Sequence, residues 1–235
     1  MTVTLITGAN KGIGRETARR LVGAGHTVYL GARNVERGEQ AAAAIGARFV
    51  QLDVTDDASV QAALRTVDER EGRLDVLVNN AGIGGVGGVT VGAGDVSAEA
   101  ARAVFETNVV GVVRVTQAAI PLLRKSGNPV VVNVSSGLGS FWAVTNPDRH
   151  ESHNAFIVYA ASKAAVSMLT VQYAKALPEF KVNAVEPGFT DTDFTAGFPG
   201  GRPVEQSAEV VVRLATIGED GPTGTFHEED RELAW

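Results

Sequence analysis

The chain has 235 residues, of which 44% are hydrophobic and 20% charged, so it is long enough for one large α/β domain with a sizeable core. It contains no cysteine, which excludes disulfides, thiolate metal sites and cysteine nucleophiles. The formal net charge of −6 argues against a general nucleic-acid or acidic-membrane binder. An anionic ligand therefore needs a local cluster of cations.

The sequence also indicates the cellular compartment that we expect for the protein. No stretch reaches the roughly 18 consecutive apolar residues of a membrane span. Strand-like residues begin at Thr2 and a glycine motif follows by Gly8, which leaves no room for a signal peptide. We therefore expect a cytoplasmic protein without a membrane or nucleic-acid partner.

Short apolar, β-branched runs alternate with longer helical patterns along the chain. Such runs are typical of parallel strands, because a parallel sheet is covered on both faces and loses polar alternation. The predicted strands are Val3–Thr7, Thr27–Gly31, Arg48–Leu52, Val76–Val78, Val130–Val134 and Val182–Val185, with an edge strand at Gly224–Phe226. The predicted helices are Gly14–Gly25, Val35–Ile45, Ser59–Glu71, Ala98–Lys125, Tyr159–Leu177 and Val204–Ile217.

This alternation predicts right-handed βαβ units and hence the α/β class. No linker, repeat or charge block divides the chain, so we expect a single-domain Rossmann fold over residues 1–235. Its doubly wound parallel sheet should have about seven strands, with helices on both faces. The segments Gly82–Gly94 and Gly137–Ile157 follow strand ends, where ligands bind in such sheets; the alternative is that both are flexible surface loops.

A glycine-rich turn follows the first predicted strand. Gly8 lets the chain turn sharply, Gly12 lets the backbone approach a pyrophosphate, and Gly14 lets helix and strand pack closely. The next helix then offers free N–H groups and a positive dipole end to phosphates. This context predicts a dinucleotide site, with a ligand-free tight turn as the alternative. Its predicted members are Gly8, Asn10, Lys11, Gly12, Ile13 and Gly14.

The end of the second strand indicates which dinucleotide binds. An NAD site usually places an acidic residue about 20 positions beyond the glycines, but this region holds Ala32 followed by Arg33. A cation suits a 2′-phosphate, so Arg33, together with Lys11, predicts NADPH/NADP+. Asp53 and Val54 end the third strand, well placed for an adenine, although Asp53 alternatively caps the following helix.

Five ordered motifs resemble the short-chain dehydrogenase/reductase family, and the resemblance spans essentially the whole chain. They are the glycine turn, Asn79-Asn80-Ala81-Gly82, Ser135-Ser136, Tyr159-Ala160-Ala161-Ser162-Lys163 and Pro187-Gly188. Within the family, Ala9–Gly14, Leu74–Gly82 and the tail Gly221–Phe226 ending in Trp235 are similar to NADPH-dependent carbonyl reductases. The resemblance implies further cofactor contacts at Asn80, Ala81, Gly82, Tyr159, Lys163, Pro187, Gly188 and Thr192.

The chemistry follows from the residues as well as from the resemblance. Reduction of a carbonyl needs a hydride on carbon and a proton on the developing alkoxide. Tyr159 and Lys163 lie four residues apart on a predicted helix, hence on one face. A neighbouring ammonium is expected to bring the pKa of the tyrosine down toward working pH. The alternative is an ordinary surface pair of tyrosine and lysine.

The resemblance assigns a role to each of four catalytic residues. Tyr159 is the general acid, and Lys163 also bonds the nicotinamide ribose. Ser136, rather than Ser135, holds the substrate oxygen. Asn108 holds a water that relays protons from solvent to Lys163. The alternatives are a serine turn or cap and a solvated asparagine on a helix.

The segment between Ser136 and Tyr159 is longer than in most members of the family. It contains Phe141, Trp142 and Phe156, which are too apolar for a wholly solvated loop. We expect some of them to line the substrate mouth, or else to form a small local core. Because the segment lies near the helix face through which many relatives assemble, we expect a monomer or weak dimer.

These features predict an enzyme that uses NADPH to reduce the carbonyl of a ketone, aldehyde or quinone to the alcohol, without a metal. One alternative is a dedicated reductase of a biosynthetic or acyl-carrier intermediate, which a basic patch beside the pocket would favour. The other is a non-catalytic NADPH-sensing regulator, which loss of Tyr159 or Lys163 would favour; both residues are present.

Overall fold

The computed structural model describes residues 1–84, 93, 96–153, 155–195 and 200–235. Within these ranges the strands are β1 Val3–Ile6, β2 Thr27–Ala32, β3 Arg48–Gln51, β4 Val76–Asn79, β5 Val130–Val134, β6 Lys181–Glu186, β7 Phe226–Glu228 and β8 Arg231–Glu232. They form one eight-stranded sheet in the spatial order β3-β2-β1-β4-β5-β6-β7-β8. All neighbours are parallel except the antiparallel pair β7 and β8.

Helices follow most of the strands. In the described ranges they are α1 Gly12–Gly23, α2 Val35–Ile45, α3 Asp57–Glu71, α4 Ala98–Phe105, α5 Gly111–Leu123, α6 Phe141–Thr145, α7 Ile157–Ala176 and α8 Val204–Ala215. A π-helical turn, Glu106–Val110, joins α4 to α5, and 3-10 turns lie at Gly137–Gly139 and His150–His153. Within the described residues, no helix is long and apolar enough to span a bilayer.

Helices cover both faces of the sheet, as the alternation of elements predicts. On one face α1 and α8 bury Leu21 and Leu214 against the sheet, beside α2. On the other, α3 and α5 bury Val67 and Leu123. Because both faces are covered, every residue of β1, β2, β4 and β5 is buried and no polar alternation remains. Because these strands are parallel, their carboxyl ends meet at one edge of the sheet.

The predicted helix Ala98–Lys125 is interrupted by the π-helical turn. There the N–H of Gly111 donates to the carbonyl of Glu106, five residues back instead of four. The wider turn rotates Asn108 inward, where it is 1% exposed. A Cβ at position 111 would come within 2.9 Å of Val54, so glycine also allows close packing here. The hydrophobic periodicity does not reveal such a one-residue shift.

The edge strand lies later than predicted, at Phe226–Glu228 instead of Gly224–Phe226. Gly224 has a φ of +70°, a left-handed conformation that cannot belong to a strand. The strand β8 was not predicted, because two residues are too few to show a pattern.

The segment from Gly137 to His153 is braced against the C-terminal end of the chain. The hydroxyl of Ser140 donates to the carbonyl of Ala234 at 2.6 Å, and the N–H of Trp142 donates to the carbonyl of Trp235 at 3.1 Å. The guanidinium of Arg149 bonds the carboxylates of both Glu151 and Glu228 at 2.7 to 3.0 Å. These contacts make the segment a fixed wall, so the alternative of a flexible loop is wrong for it.

The three aromatic residues Phe141, Trp142 and Phe156, which lie between Ser136 and Tyr159, differ in whether they line the site. Phe156 lines the large cleft described below. Trp142 is 44% exposed, and the guanidinium carbon of Arg149 lies 5.7 Å from the centre of the Trp142 ring. Phe141 is 72% exposed. The expectation that some of these side chains line the mouth of the cleft therefore holds for Phe156, whereas Phe141 and Trp142 are not part of the lining. Most of the Gly82–Gly94 segment lies outside the described residues, and its role stays a prediction.

Candidate active site

A cleft of about 1260 Å³ opens at the carboxyl ends of the central strands. It exceeds the roughly 300–1,000 Å³ of ordinary small-molecule pockets, so it has room for a dinucleotide and a second molecule. With the exception of Asn108, the predicted site residues line it: Gly8, Asn10, Lys11, Gly12, Ile13, Gly14, Arg33, Asp53, Val54, Asn80, Ala81, Gly82, Ser136, Tyr159, Lys163, Pro187, Gly188 and Thr192.

The glycine turn forms a cradle that side chains would fill. Gly8 has a φ of +63°, and a Cβ there would lie 2.9 Å from the Cα of Ala81. A Cβ on Gly14 would collide with the amide of Asn80, which donates to the carbonyls of Thr7 and Gly8 at 2.9 and 3.1 Å. Asn80 and Ala81 therefore support the turn from the next strand end. The open N-terminus of α1 beside it fits a pyrophosphate.

Arg33 and Asp53 lie at the end of the cleft where an adenosine would bind. Asp53 accepts hydrogen bonds from the N–H and the hydroxyl of Thr55, at 2.9 and 2.7 Å. The helix-cap alternative for Asp53 is wrong, because Asp56 caps α3. Burial acts against ionisation, but the Thr55 bonds and the charges of Arg33 and Arg114 leave the pKa of Asp53 below its ordinary value. A carboxylate is thus available to accept a hydrogen bond from an adenine.

A segment that follows Pro187-Gly188 closes over the glycine turn. The ammonium of Lys11 lies 2.9 Å from the carboxylate of Asp193, and both side chains are mostly exposed. The methyl of Thr192 is 3.4 Å from the place that a Cβ on Gly12 would take. The hydrogen bond from Lys11 lowers the pKa of Asp193, and so do the positive charges of Lys11 and Arg37. Lys11 must leave Asp193 before it can bind a phosphate.

Arg37 is a cation that the sequence reasoning missed. It lies in the first turn of α2, four residues after Arg33, within electrostatic reach of Asp193. The available signal was a second arginine four residues after Arg33, close to the N-terminus of the predicted helix Val35–Ile45. Arg33, Arg37 and Lys11 thus supply a local positive cluster on an acidic chain.

Tyr159, Ser136 and Lys163 meet at the other end of the cleft. The hydroxyl of Ser136 lies within hydrogen-bonding reach of the Tyr159 phenol. The ammonium of Lys163 lies 5.7 Å from the centre of the Tyr159 ring and donates to the carbonyl of Val134 at 2.7 Å. Ser135 instead donates to the backbone carbonyl of Lys163 at 3.0 Å and is 2% exposed. This contrast favours Ser136 as the serine that faces a substrate.

Burial dominates the titration of Tyr159 and Lys163. Burial, and then the negative charge of Glu186, raises the pKa of Tyr159, while the Ser136 hydrogen bond lowers it. The expectation that a neighbouring ammonium lowers this pKa is therefore wrong. Burial lowers the pKa of Lys163 to about 8, and the charge of Glu186 acts in the opposite direction. At neutral pH the phenol keeps the proton that a general acid needs.

Asn108 lies behind the cleft and is fully hydrogen-bonded to its surroundings. Its carbonyl oxygen accepts from the N–H of Ile83 at 2.8 Å, and its amide donates to Ile83 O at 2.9 Å and to Ser162 Oγ at 3.0 Å. The alternative of a solvated asparagine is therefore wrong. A Cβ on Gly82 would lie 3.4 Å from Asn108 Oδ1 and 3.6 Å from Lys163 Nζ, so these two residues flank Gly82.

Glu186 is the residue of this cleft that sequence reasoning missed most clearly. It ends β6 directly before Pro187-Gly188 and is 7% exposed. Its carboxylate accepts hydrogen bonds from the N–H groups of Gly137 and Gly188. The available signal was a charged residue at the ligand-binding end of a predicted buried strand.

The mouth of the cleft beside Tyr159 carries apolar side chains. Phe189 and Phe194 line it although they are 40% and 39% exposed. The ring of Phe194 lies 5.6 Å from that of Tyr159, centre to centre. Leu138 and Phe156 complete this surface. Such a lining suits an apolar molecule bound next to the phenol.

Fold and site together define a dinucleotide-dependent oxidoreductase of the Rossmann type. Residues 2–200 match the family model described as short chain dehydrogenase. (−)-Isopiperitenone reductase of Mentha piperita is 34% identical, covering 98% of this chain and 97% of its own. Salutaridine reductase of Papaver bracteatum is 30% identical, with coverages of 97% and 94%. The solved NADPH-bound carbonyl reductase from chicken fatty liver has a TM-score of 0.87 at 26% identity, over 100% of both chains.

The chain belongs to the short-chain dehydrogenase/reductase family. It is therefore an NAD(P)-dependent oxidoreductase that acts on CH–OH or carbonyl groups and reduces small carbonyl substrates.

Proposed function

We propose that this protein is an NADPH-dependent carbonyl reductase that converts an apolar ketone, aldehyde or quinone to the alcohol, with Tyr159 as the proton donor. The observation that carries the proposal is the convergence of Ser136, Tyr159 and Lys163 at one end of a cleft whose other end holds the glycine turn. The two relatives are named as reductases, and the solved neighbour as a carbonyl reductase with NADPH.

The chain's own residues supply the acid and the support for the reacting oxygen. When bound, NADPH supplies the hydride for the carbonyl carbon. The hydroxyls of Ser136 and Tyr159 hold the carbonyl oxygen, and Tyr159 gives it a proton as negative charge develops. Lys163, whose ammonium lies 5.7 Å from the centre of the Tyr159 ring, would bond the ribose of the nicotinamide. The water through which the proton is replaced from solvent would lie beside Asn108 and Lys163, the two residues that flank Gly82.

NADPH is proposed over NADH because of the charges at the adenosine end. Ala32 offers no carboxylate to a ribose 2′-hydroxyl, whereas Arg33 and Lys11 line the cleft there. The guanidinium of Arg33 presents a fork of donors that suits phosphate oxygens, and Lys11 adds a point charge.

The test is a panel of ketones, aldehydes, quinones and acyl-carrier thioesters, followed by NADPH absorbance. The parent should reduce apolar ketones or quinones, and Tyr159→Phe should lose a factor of roughly 10² to 10⁴ in turnover, the usual contribution of general acid catalysis. NADPH binding, measured by fluorescence, should change little because the ring stays in place.

The matched control is Tyr173→Phe. Tyr173 lies on the same helix, α7, but packs against the core instead of lining the cleft. This variant should keep nearly the parent's activity. Turnover by Tyr159→Phe within a few-fold of the parent would refute Tyr159 as the acid, and preference for the carrier thioesters would identify a dedicated reductase instead.

A further inference from the structure

The buried carboxylate of Glu186 lies between two turns of the active site. One of its oxygens accepts a hydrogen bond from the N–H of Gly137, and the other accepts from the N–H of Gly188 at 2.8 Å. Gly137 directly follows Ser136, while Gly188 belongs to the turn that lines the cleft after β6. A single side chain thus connects the turn that presents the serine hydroxyl to the turn on the cofactor side.

We propose that Glu186 is a positioning residue for carbonyl reduction, whose two carboxylate oxygens hold the Ser136 turn and the Pro187-Gly188 turn in fixed register around Tyr159. The inference rests on the proposed function. Both oxygens act only as acceptors from backbone N–H groups, so a carboxylate satisfies both bonds, whereas an amide would place a donor against one of them.

Neighbouring side chains pack so closely against the two turns that neither Gly137 nor Gly188 could carry a side chain. A Cβ on Gly137 would collide with the carboxylate of Glu151, and a Cβ on Gly188 would collide with the guanidinium of Arg202. Arg202 also donates to the carbonyl of Pro187 at 2.9 Å, so it supports the same turn from outside. Gly188 has a φ of +79°, which further restricts this position to glycine.

Glu186 also acts on its neighbours through its charge. The ionisable side chains around it are Glu151, Tyr159, Lys163, Arg202 and, in register on the adjacent strand β7, Glu228. Burial and repulsion from Glu151 raise the pKa of Glu186, while the N–H groups of its two glycine partners and the charge of Arg202 oppose them. In turn, its negative charge raises the pKa of Tyr159 and that of Lys163.

Loss of the Glu186 charge should change the pH dependence of the reaction in a defined direction. A negative charge near Tyr159 and Lys163 disfavours loss of a proton from either group. Removing that charge lowers both pKa values. Reduction requires the protonated phenol, so the alkaline limb of the profile of kcat/KM against pH should move to lower pH.

The kinetic test compares Glu186→Gln with Glu186→Asp. The glutamine variant should lose at least about tenfold in kcat with the KM for the ketone nearly unchanged, and its alkaline limb should fall by about one pH unit. The aspartate variant keeps the charge but is one methylene shorter, so its kcat should fall while its alkaline limb stays in place. Glu228→Gln is the control, since it removes a neighbouring, partly buried carboxylate outside the cleft lining and should leave the limb unmoved.

A second measurement reads the positioning without activity. Amide hydrogen exchange should be faster by about tenfold or more in Glu186→Gln at whichever of Gly137 and Gly188 faces the new amide nitrogen, because that N–H loses its acceptor. Exchange in β1 and β4 should not change. Unchanged exchange at both glycines would overturn the positioning role, even if the parent reduced no carbonyl in the panel. An unmoved alkaline limb in an active Glu186→Gln variant would overturn the electrostatic role.

Discussion

At the scale of single residues, we expect cofactor selectivity to depend on Arg33 more than on Lys11. Lys11 already pairs with Asp193 at 2.9 Å, so a phosphate must compete with a carboxylate for its ammonium. Arg33 lines the same end of the cleft, and its charge helps to keep Asp53 ionised. Arg33 is also a better partner for phosphate oxygens, because its guanidinium can donate two parallel hydrogen bonds.

Arg33→Ala should therefore weaken NADPH far more than NADH. One charge-assisted contact at a half-open site corresponds to roughly ten- to thirtyfold in affinity, and NADH lacks the phosphate that makes this contact. The measurement is kcat/KM for each cofactor at two ionic strengths, since salt should narrow the preference of the parent.

The control for this prediction is Arg65→Ala. Arg65 is an exposed arginine of α3 outside the cleft lining, so its loss changes the net charge equally without touching the site. It should leave the ratio of the two cofactors unaltered. Equal kcat/KM for NADPH and NADH in the parent would contradict the assignment of Arg33.

The sequence motifs predict which residues surround the cleft better than they predict how those residues titrate. The glycines and the pair Tyr159 and Lys163 are readable because their spacing within a turn or a helix is local. The pKa of Tyr159 is not readable, because burial and the charge of Glu186 dominate it. That charge comes from β6, and only the fold brings it to α7.

At the scale of elements, periodicity finds the long helices and buried strands and misses the local irregularities. The strand Val130–Val134 is predicted at its observed bounds, and α2 likewise. The π-helical turn at Glu106–Val110 and the two-residue strand β8 are absent from the prediction. The π-helical turn depends on a partner distant in sequence, since Asn108 turns inward to bond Ile83, whereas β8 forms a local hairpin with β7 and is too short to show a pattern.

The segment from Gly137 to His153 depends on one buried arginine for its attachment. The side chain of Arg149 is 13% exposed and bonds Glu151 and Glu228, which are 2% and 12% exposed. Arg149→Met should lower the free energy of unfolding by about 2–3 kcal/mol, because it removes the guanidinium from the buried carboxylate of Glu151 and from Glu228, which keeps only its exposed partner Arg231 among the described salt bridges. Chemical denaturation at neutral pH measures this effect.

The matched control for Arg149→Met is Arg124→Met, which makes the same substitution at an exposed ion pair. Arg124 lies 3.4 Å from Glu179, and both side chains are about half exposed. Its loss should cost less than about 0.5 kcal/mol, as exposed pairs usually do. Equal effects of the two substitutions would show that the Arg149 cluster does not hold the segment in place.

At the scale of the whole molecule, the cleft is assembled from residues that lie far apart along the chain. Gly8, Tyr159 and Gly188 come from its first, third and fourth quarters, and the parallel sheet brings their strand ends to one edge. A sequence pattern predicts this convergence once the doubly wound order is assumed. It does not predict the wall formed by the 137–153 segment, which depends on contacts with the last residues of the chain.

That wall is the basis for the prediction of a monomer or, at most, a weak dimer. The segment lies directly on α7, since a Cβ on Gly139 would come within 2.9 Å of the backbone of Lys163 and Ala164. Because Arg149 bonds it to Glu228 of β7, we expect it to stay in place and to cover the helix face through which many relatives assemble. Light scattering should therefore give a mass near 24.5 kDa, rising at most toward twice that value with concentration.

Arg149→Met tests whether the fixed segment is the reason for the small assembly. Releasing the segment should increase the fraction of dimer or larger species at a given concentration, while Arg124→Met should leave the mass distribution as in the parent. A larger assembly in both variants would point to general destabilisation instead, because exposed apolar surface drives association whatever its source. A parent mass near four times that of the chain would show that the braced segment leaves the assembly face accessible.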